Sequence, residues 1–351
     1  MKNLFTLSAL AVLVSASLGA QAQFTVDGTL APAEVGTGVG KYQLLGTYTG
    51  TTTHSVADRG LKALYMGTTA TTLNIMVVAS PEQSGAGSQY SNLVLYLDAP
   101  NRTGTAAGVR LAGGDNTGSP LRHRPTLDMP VDYGFRITVS PLNDGNNAMY
   151  LSKVDYTAPI VPPATRNPDT GLGTAAKNGT IATDVANPGY RTAFNTSATG
   201  SVAANTTTGW EFEIPLTAIG GAANNDVFRV IVAYVADNTT FYSDVLPQIA
   251  GQTTALGADP NFSTIAGSQN YAYQVGTGVL ANRTASAAAL KAAAYPNPVA
   301  ATSRLDYTVP GTAAPVSVNV YNSLGRKALT LLSATQAGGA HTVELAPLQK
   351  L

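Results

Sequence analysis

Gly134-Phe135-Arg136-Ile137-Thr138-Val139-Ser140 is followed by Pro141-Leu142-Asn143-Asp144-Gly145-Asn146-Asn147 and then by Ala148-Met149-Tyr150-Leu151-Ser152-Lys153-Val154-Asp155-Tyr156. In both flanking runs apolar and polar side chains alternate, the period of a strand with one face buried. Asp-Gly between them tolerates the positive φ that tight hairpin connections demand. The stretch therefore reads as an antiparallel hairpin, and the rest of the chain repeats its grammar.

Further strand patterns lie at Lys41–Thr49, Leu61–Met66, Thr72–Ala79, Asn92–Asp98, Trp210–Leu216, Val227–Asp237 and Tyr271–Val275. Loops are expected at Ser84-Gly85-Ala86-Gly87-Ser88 and at Gly113-Gly114-Asp115-Asn116. Residues 159–205, rich in Pro, Gly, Asn, Thr and Ala, read as a long irregular stretch with one or two short edge strands. Short strands without alternating helices predict an all-β fold, a large antiparallel β-sandwich over residues 23–280.

Composition narrows the function. The 351 residues carry 20 Lys plus Arg against 20 Asp plus Glu, a formal net charge of zero, and only 11% are charged. No electrostatic case for nucleic acid or an acidic membrane surface survives that balance. Hydrophobic residues make up 44%, enough for a core, and 35 Gly with 20 Pro suit many turns. Zero cysteine excludes disulfides, thiolate metal sites, iron–sulfur clusters and a cysteine nucleophile.

Met1-Lys2-Asn3, the apolar run Leu4 to Leu18 and the small-x-small Ala20-Gln21-Ala22 read as a cleaved signal peptide over residues 1–22. The run is shorter than the ~20 residues of a spanning helix, so no transmembrane span is expected after cleavage. Alanines cluster over residues 281–294, read as a linker. Strand patterns then resume at Arg304–Val309, Val316–Tyr321, Lys327–Leu332 and His341–Leu345.

Tyr295-Pro296-Asn297-Pro298, then Val316 to Arg326 with Asn322-Ser323-Leu324-Gly325, then Gly338-Gly339 and His341 to Leu345 occur in fixed order. Together they resemble the type A sorting domain of the type IX secretion system of Bacteroidota. The resemblance covers residues 295–351 and implies a small immunoglobulin-like domain, with Tyr295, Pro296, Asn297, Pro298 and Gly325 as its motif positions. It implies the secretion machinery as partner and a secreted or outer-membrane surface location. Family members continue past the position of Leu348 with further strands, so an incomplete C-terminal module is expected.

Val26-Asp27-Gly28, Asn92 to Asp98 and Gly209 to Leu216 are similar to three landmarks of the type 9 carbohydrate-binding and DOMON-like sandwiches, in the family order. That likeness implies sugar or haem binding, or structural cargo; a haem would need axial ligands, and His54 and His123 are the histidines of this part of the chain. Sugar binders stack pyranose rings on aromatic faces. Trp210 is the single tryptophan and the candidate ligand-binding residue, but its alternation with Phe212 and Ile214 favours a core position. Asp98, Asp115, Asp237 and Asp244, beside turns, are candidate ligands for a structural Ca²⁺, which prefers loop oxygen donors, although no Asp-x-Asp-x-Asp-Gly loop appears. No other cofactor is indicated.

Catalytic patterns are missing. There is no Gly-x-Ser-x-Gly and no His-Glu-x-x-His. Gly36 to Tyr42 lacks phosphate-loop spacing and reads as a turn before a strand. Glu211 and Glu213 share one strand face, where glycosidase acids must flank a bond from opposite sides; they read as the solvated side of a sandwich strand. The sequence thus predicts a secreted or cell-surface, non-catalytic β-sandwich, with a carbohydrate-binding accessory module as the alternative.

Overall fold

The computed structural model describes residues 24–51, 55–56, 58–84, 88–142, 144–183, 189–236, 240–276, 278–280, 293–295, 302–321 and 327–347. The described residues are almost wholly strand and loop, with four short 3₁₀ turns. None of their helices is long and apolar enough to cross a membrane. The expected signal peptide, residues 1–22, falls outside the described residues.

Fourteen strands build two facing antiparallel sheets. One contains, in spatial order, β1 (Gln43–Thr47), β2 (Gly60–Thr68), β3 (Thr72–Ser80), β10 (Gly209–Pro215), β9 (Arg191–Phe194) and β8 (Ala182–Thr183). The other runs β14 (Gly278–Leu280), β13 (Tyr271–Gln274), β11 (Val227–Ala236), β4 (Ser91–Asp98), β5 (Tyr133–Val139), β6 (Ala148–Asp155) and β7 (Asp169–Ala176), with β12 (Thr240–Leu246) also paired to β11. The expected hairpin is β5–β6, in register from Tyr133 opposite Asp155 to Val139 opposite Met149.

Between the sheets lies the main core. Leu73, Ile75 and Val77 meet Leu93, Leu95, Leu97, Phe135, Ile137 and Val230, with Trp210 and Phe212 among them. Alternation delivers these side chains inward, as the sequence predicts. The opposite faces are buried too. Val94, Tyr96, Ile231, Ala233 and Val235 point outward from the larger sheet under Leu111, Leu121, Leu127, Met129 and Phe262, which come from the long connections around it. On the smaller sheet Met76 and Val78 lie beneath Phe24, Leu30 and Tyr42. Each sheet is thus clad by non-strand chain, and that explains why β3 and β4 are buried on both faces almost throughout.

The cladding corrects the reading of Glu211 and Glu213. Glu211 is fully buried and Glu213 is 7% exposed. Their alternation signals only which face they share, and the N-terminal segment that covers that face has no strand pattern to announce it. Glu211 Oε2 accepts the backbone N–H groups of Asp27 (2.8 Å) and Gly28 (3.0 Å), and Oε1 accepts the Tyr42 hydroxyl at 2.8 Å. Glu34 holds the same segment through the N–H groups of Thr25 (2.6 Å) and Ala31 (3.0 Å). Glu213 pairs with Arg191 at 3.2 Å.

Residues 159–205 are also more regular than expected. They carry the eight-residue β7 as well as β8 and β9. Two glycines in β7 hid its alternation. After β14, the described C-terminal residues form a single sheet of β15 (Ala293–Tyr295), β16 (Arg304–Tyr321) and β17 (Lys327–Glu344). Ala293 and Ala294, expected in the linker, belong to β15. The four short strands expected there join into two eighteen-residue strands paired from Arg304 opposite Glu344 to Tyr321 opposite Lys327. Tyr295 is 74% exposed; Pro296, Asn297, Pro298 and Gly325 lie outside the described residues.

Burial drives the Glu211 carboxyl from its ordinary 4.5 up to about 7, against the lowering effect of its three donors. The folded protein therefore holds this proton over a range where the unfolded chain has released it. That contribution to stability is complete below pH 4.5 and is lost as the pH rises through 7. We expect on the order of 3 kcal/mol of Glu211-linked stability to disappear across that window. Denaturant unfolding as a function of pH checks this, and Glu211→Gln should remove most of the slope.

Candidate functional site

At one end of the sandwich an open cleft of about 580 Å³ is lined by Ser55, Val56, Asp58, Arg59, Gln83, Ser84 and Tyr242. Three segments supply it: the approach to β2, the exit from β3, and β12. Asp58 adopts φ 56°, in the left-handed region that a non-glycine residue occupies only when its surroundings enforce it. Here Asp58 Oδ1 accepts the Ser201 hydroxyl (2.6 Å) and the Ala203 N–H (3.0 Å). The Ser201 bond, the Ala203 N–H and the nearby Arg59 charge hold its carboxyl below the usual carboxylate range.

Arg59 Nη1 donates to the carbonyls of Asp58 (2.7 Å) and Gly200, and Nη2 donates to Ser84 Oγ at 3.2 Å. Those bonds fix the guanidinium plane in the cleft wall. Gln83 Nε2 donates to the Tyr242 hydroxyl at 3.3 Å. The half-buried Tyr242 ring leans on buried Tyr234, with centroids 4.6 Å apart and planes inclined by 42°. The described lining residues thus offer one aromatic ring, a guanidinium, an amide, a carboxylate and three hydroxyls, with one positive charge facing one negative charge.

Buried polar groups hold these walls. Ser55 and Ser243 exchange bonds, each backbone N–H donating to the other's Oγ at 2.9 Å. Asp244 beside them is fully buried, and its Oδ2 accepts the Leu61 N–H at 3.1 Å. A Cβ on Gly60 would lie 2.1 Å from that oxygen, and Gly60 has φ 115°, so only glycine fits there. Next to Gln83, Glu82 forms an ion pair with Lys177 at 2.9 Å, with side chains 1% and 2% exposed. Lys177 Nζ also donates to the carbonyls of Ser140 (2.9 Å) and Pro141 (2.8 Å), and Thr196 Oγ1 donates to Glu82 Oε1 at 2.8 Å.

The residues singled out from sequence lie elsewhere or play other parts. Trp210 is fully buried, stacks on Phe212 at 5.6 Å and donates its Nε1–H to Thr192 Oγ1 at 2.9 Å. Its ring offers no open face to a sugar. Of the calcium candidates, Asp98 accepts from Arg229 Nη1 at 2.9 Å, Asp244 anchors Leu61, and Asp237 lies outside the described residues. Asp98 faces the start of β11 and Asp244 sits on the strand paired with its far half, so the two do not converge. Asp115 is exposed and accepts the Asp169 N–H at 2.8 Å. Among the described residues no group of three or more His, Asp or Glu side chains is placed to hold a metal ion. His123 is buried against Phe241, and His54 lies outside the described residues.

The cleft residues themselves escaped sequence reading. Ser55, Asp58, Arg59, Gln83 and Ser84 sit in two separate loops without a motif, and Tyr242 belongs to a strand whose pattern is only four residues clear. The one available signal was the Gly60-Leu61 strand start behind a charged pair. Comparison with known proteins gives no match: no family model, no curated protein and no solved structure matches this chain.

The Glu82–Lys177 pair generates a stability test. Lys177→Met leaves a buried carboxylate without its cation and should cost about 3–5 kcal/mol in chemical denaturation. Replacing both residues, Glu82→Gln with Lys177→Met, should recover most of that loss.

Proposed function

We propose that this protein is an exported cell-surface β-sandwich that acts by binding, and that its ligand is a neutral polysaccharide held in the Arg59–Tyr242 cleft. The observation that carries this reading is the make-up of the cleft. Planar polar groups such as Arg59, Asp58 and Gln83 suit paired hydroxyls, which a sugar ring presents at fixed spacing. Tyr242 adds an aromatic surface for the C–H side of a pyranose. The balance of one cation and one anion favours an uncharged ligand over a phosphorylated or acidic one. Asp58 is the only carboxylate among the described lining residues, whereas hydrolysis of a glycosidic bond uses two across the scissile linkage.

Export rests on the leader pattern of residues 1–22 and on the ordered resemblance of residues 295–351 to type IX sorting domains. In this reading the leader directs the chain across the inner membrane and the C-terminal module engages the type IX machinery. The absence of cysteine suits a protein whose stability outside the cell comes from its core.

Two measurements test the proposal. Affinity electrophoresis of residues 23–351 through gels containing neutral polysaccharides should show retardation, weakened about tenfold by Tyr242→Ala and by Arg59→Met. No retardation in any gel, or unchanged retardation in both variants, rejects the binding site. N-terminal sequencing of protein recovered from the culture medium or cell surface should begin at Gln23, and deletion of residues 295–351 should leave the chain in the periplasm.

A further inference from the structure

The connections that clad the larger sheet lie over Tyr96, Val154 and Ile231. Toward the turn of the β5–β6 hairpin the same outer face changes character. One row across β4 to β7 reads Asn92, Thr138, Tyr150 and Thr174, and the next reads Val94, Arg136, Ser152 and Gly171. Tyr150 and Arg136 are half-buried, and Thr174 and Gly171 are exposed. Tyr90, also half-buried, immediately precedes β4 and sets its ring 6.3 Å from that of Tyr150, with the planes inclined by 50°.

These groups are held before any ligand arrives. The Tyr90 hydroxyl donates to Asp144 Oδ2 at 3.2 Å and accepts from Asn146 Nδ2 at 3.0 Å, both in the hairpin turn. Arg136 Nε donates to Ser152 Oγ at 2.7 Å and Nη1 donates to Thr138 Oγ1, which fixes the guanidinium plane against the sheet. A Cβ on Gly171 would meet nothing within 4 Å, so the floor beside Ser152 is bare backbone under open space. The frame is shared with the cleft. The Gln83 carbonyl accepts the Leu142 N–H at 2.9 Å, and Leu142 leads into the turn that carries Asp144 and Asn146.

We infer that Tyr90, Tyr150 and Arg136 form a second contact station for neutral polysaccharide, along which a polymer held in the Arg59–Tyr242 cleft continues onto the outer face of β5 to β7. The inference rests on the cleft reading for its class of ligand. A pyranose offers what this surface matches: a C–H side for an aromatic ring, and paired hydroxyls for a guanidinium or an amide. Rings and planar groups already fixed in place lose little entropy on binding. Arg136 and Asp144 bring one charge of each sign, so an uncharged chain is favoured here as in the cleft.

The test runs residues 23–351 through gels containing xyloglucan, galactomannan, laminarin or soluble starch, each against a gel without polysaccharide. Wild-type protein should be retarded in at least one. In that gel Tyr150→Ala should weaken retardation about tenfold, and Tyr150→Ala combined with Tyr242→Ala about a hundredfold, because separate contacts add. Gly171→Gln puts a side chain into the open space over the floor and should also cut retardation, at unchanged Tm. Should Tyr150→Ala fail to fold, Gly171→Gln decides alone. Retardation weakened by Tyr242→Ala but intact in Tyr150→Ala and Gly171→Gln overturns this station and leaves the cleft standing. Retardation weakened in Tyr150→Ala and Gly171→Gln but intact in Tyr242→Ala supports the station and rejects the cleft. Wild-type protein unretarded in every gel rejects both.

Discussion

The structure depends on burying both faces of both sheets. A two-sheet sandwich ordinarily leaves its outer faces to water, and its strands then alternate cleanly. Here Met76 and Val78 of β3, Val94 and Tyr96 of β4, and Ile231, Ala233 and Val235 of β11 face outward, so the chain must bring something to cover them. The N-terminal segment covers one sheet; the connections between β4 and β5 and between β12 and β13 cover the other. Those coverings contain no strand longer than an isolated bridge and only three short 3₁₀ turns. Their backbone groups must find partners among side chains, which is why so many buried carboxylates accept backbone N–H groups.

That requirement decides the fate of six buried acidic residues. Glu211 and Glu34 receive the N-terminal strap. Asp244 receives the start of β2, and Asp132 accepts the Ala99 N–H at 2.7 Å. Asp98 and Glu82 are matched with Arg229 and Lys177. In a chain in which only 11% of residues are charged, these buried acids each serve a local structural task. The cleft differs from these sites because Asp58 and Arg59 keep their charges at the surface, one side chain 43% and the other 18% exposed.

The all-β class and the main strands were legible because Phe135, Ile137 and Val139 alternate with Arg136 and Thr138, and because Asp144-Gly145 marks a turn. The inward face of β10 was legible in the same way from Trp210, Phe212 and Ile214. The outer cladding was not, since Phe24, Leu121 and Phe262 sit in segments without periodicity and their burial is set by long-range contacts. Strand β7 was obscured by Gly171 and Gly173. The cleft was unreadable for a related reason: Asp58, Gln83 and Tyr242 are brought together by the sheet's topology, not by spacing along the chain.

The bonds from Asp27 and Gly28 to Glu211 join residues 184 and 183 positions apart. Closing so large a loop is entropically costly until most of the intervening sheet has formed. A chain emerging with its N-terminus first cannot complete this seal until residue 211 has followed. Its leading segment stays unclasped, and the nascent polypeptide remains pliable, until well over half its length is out.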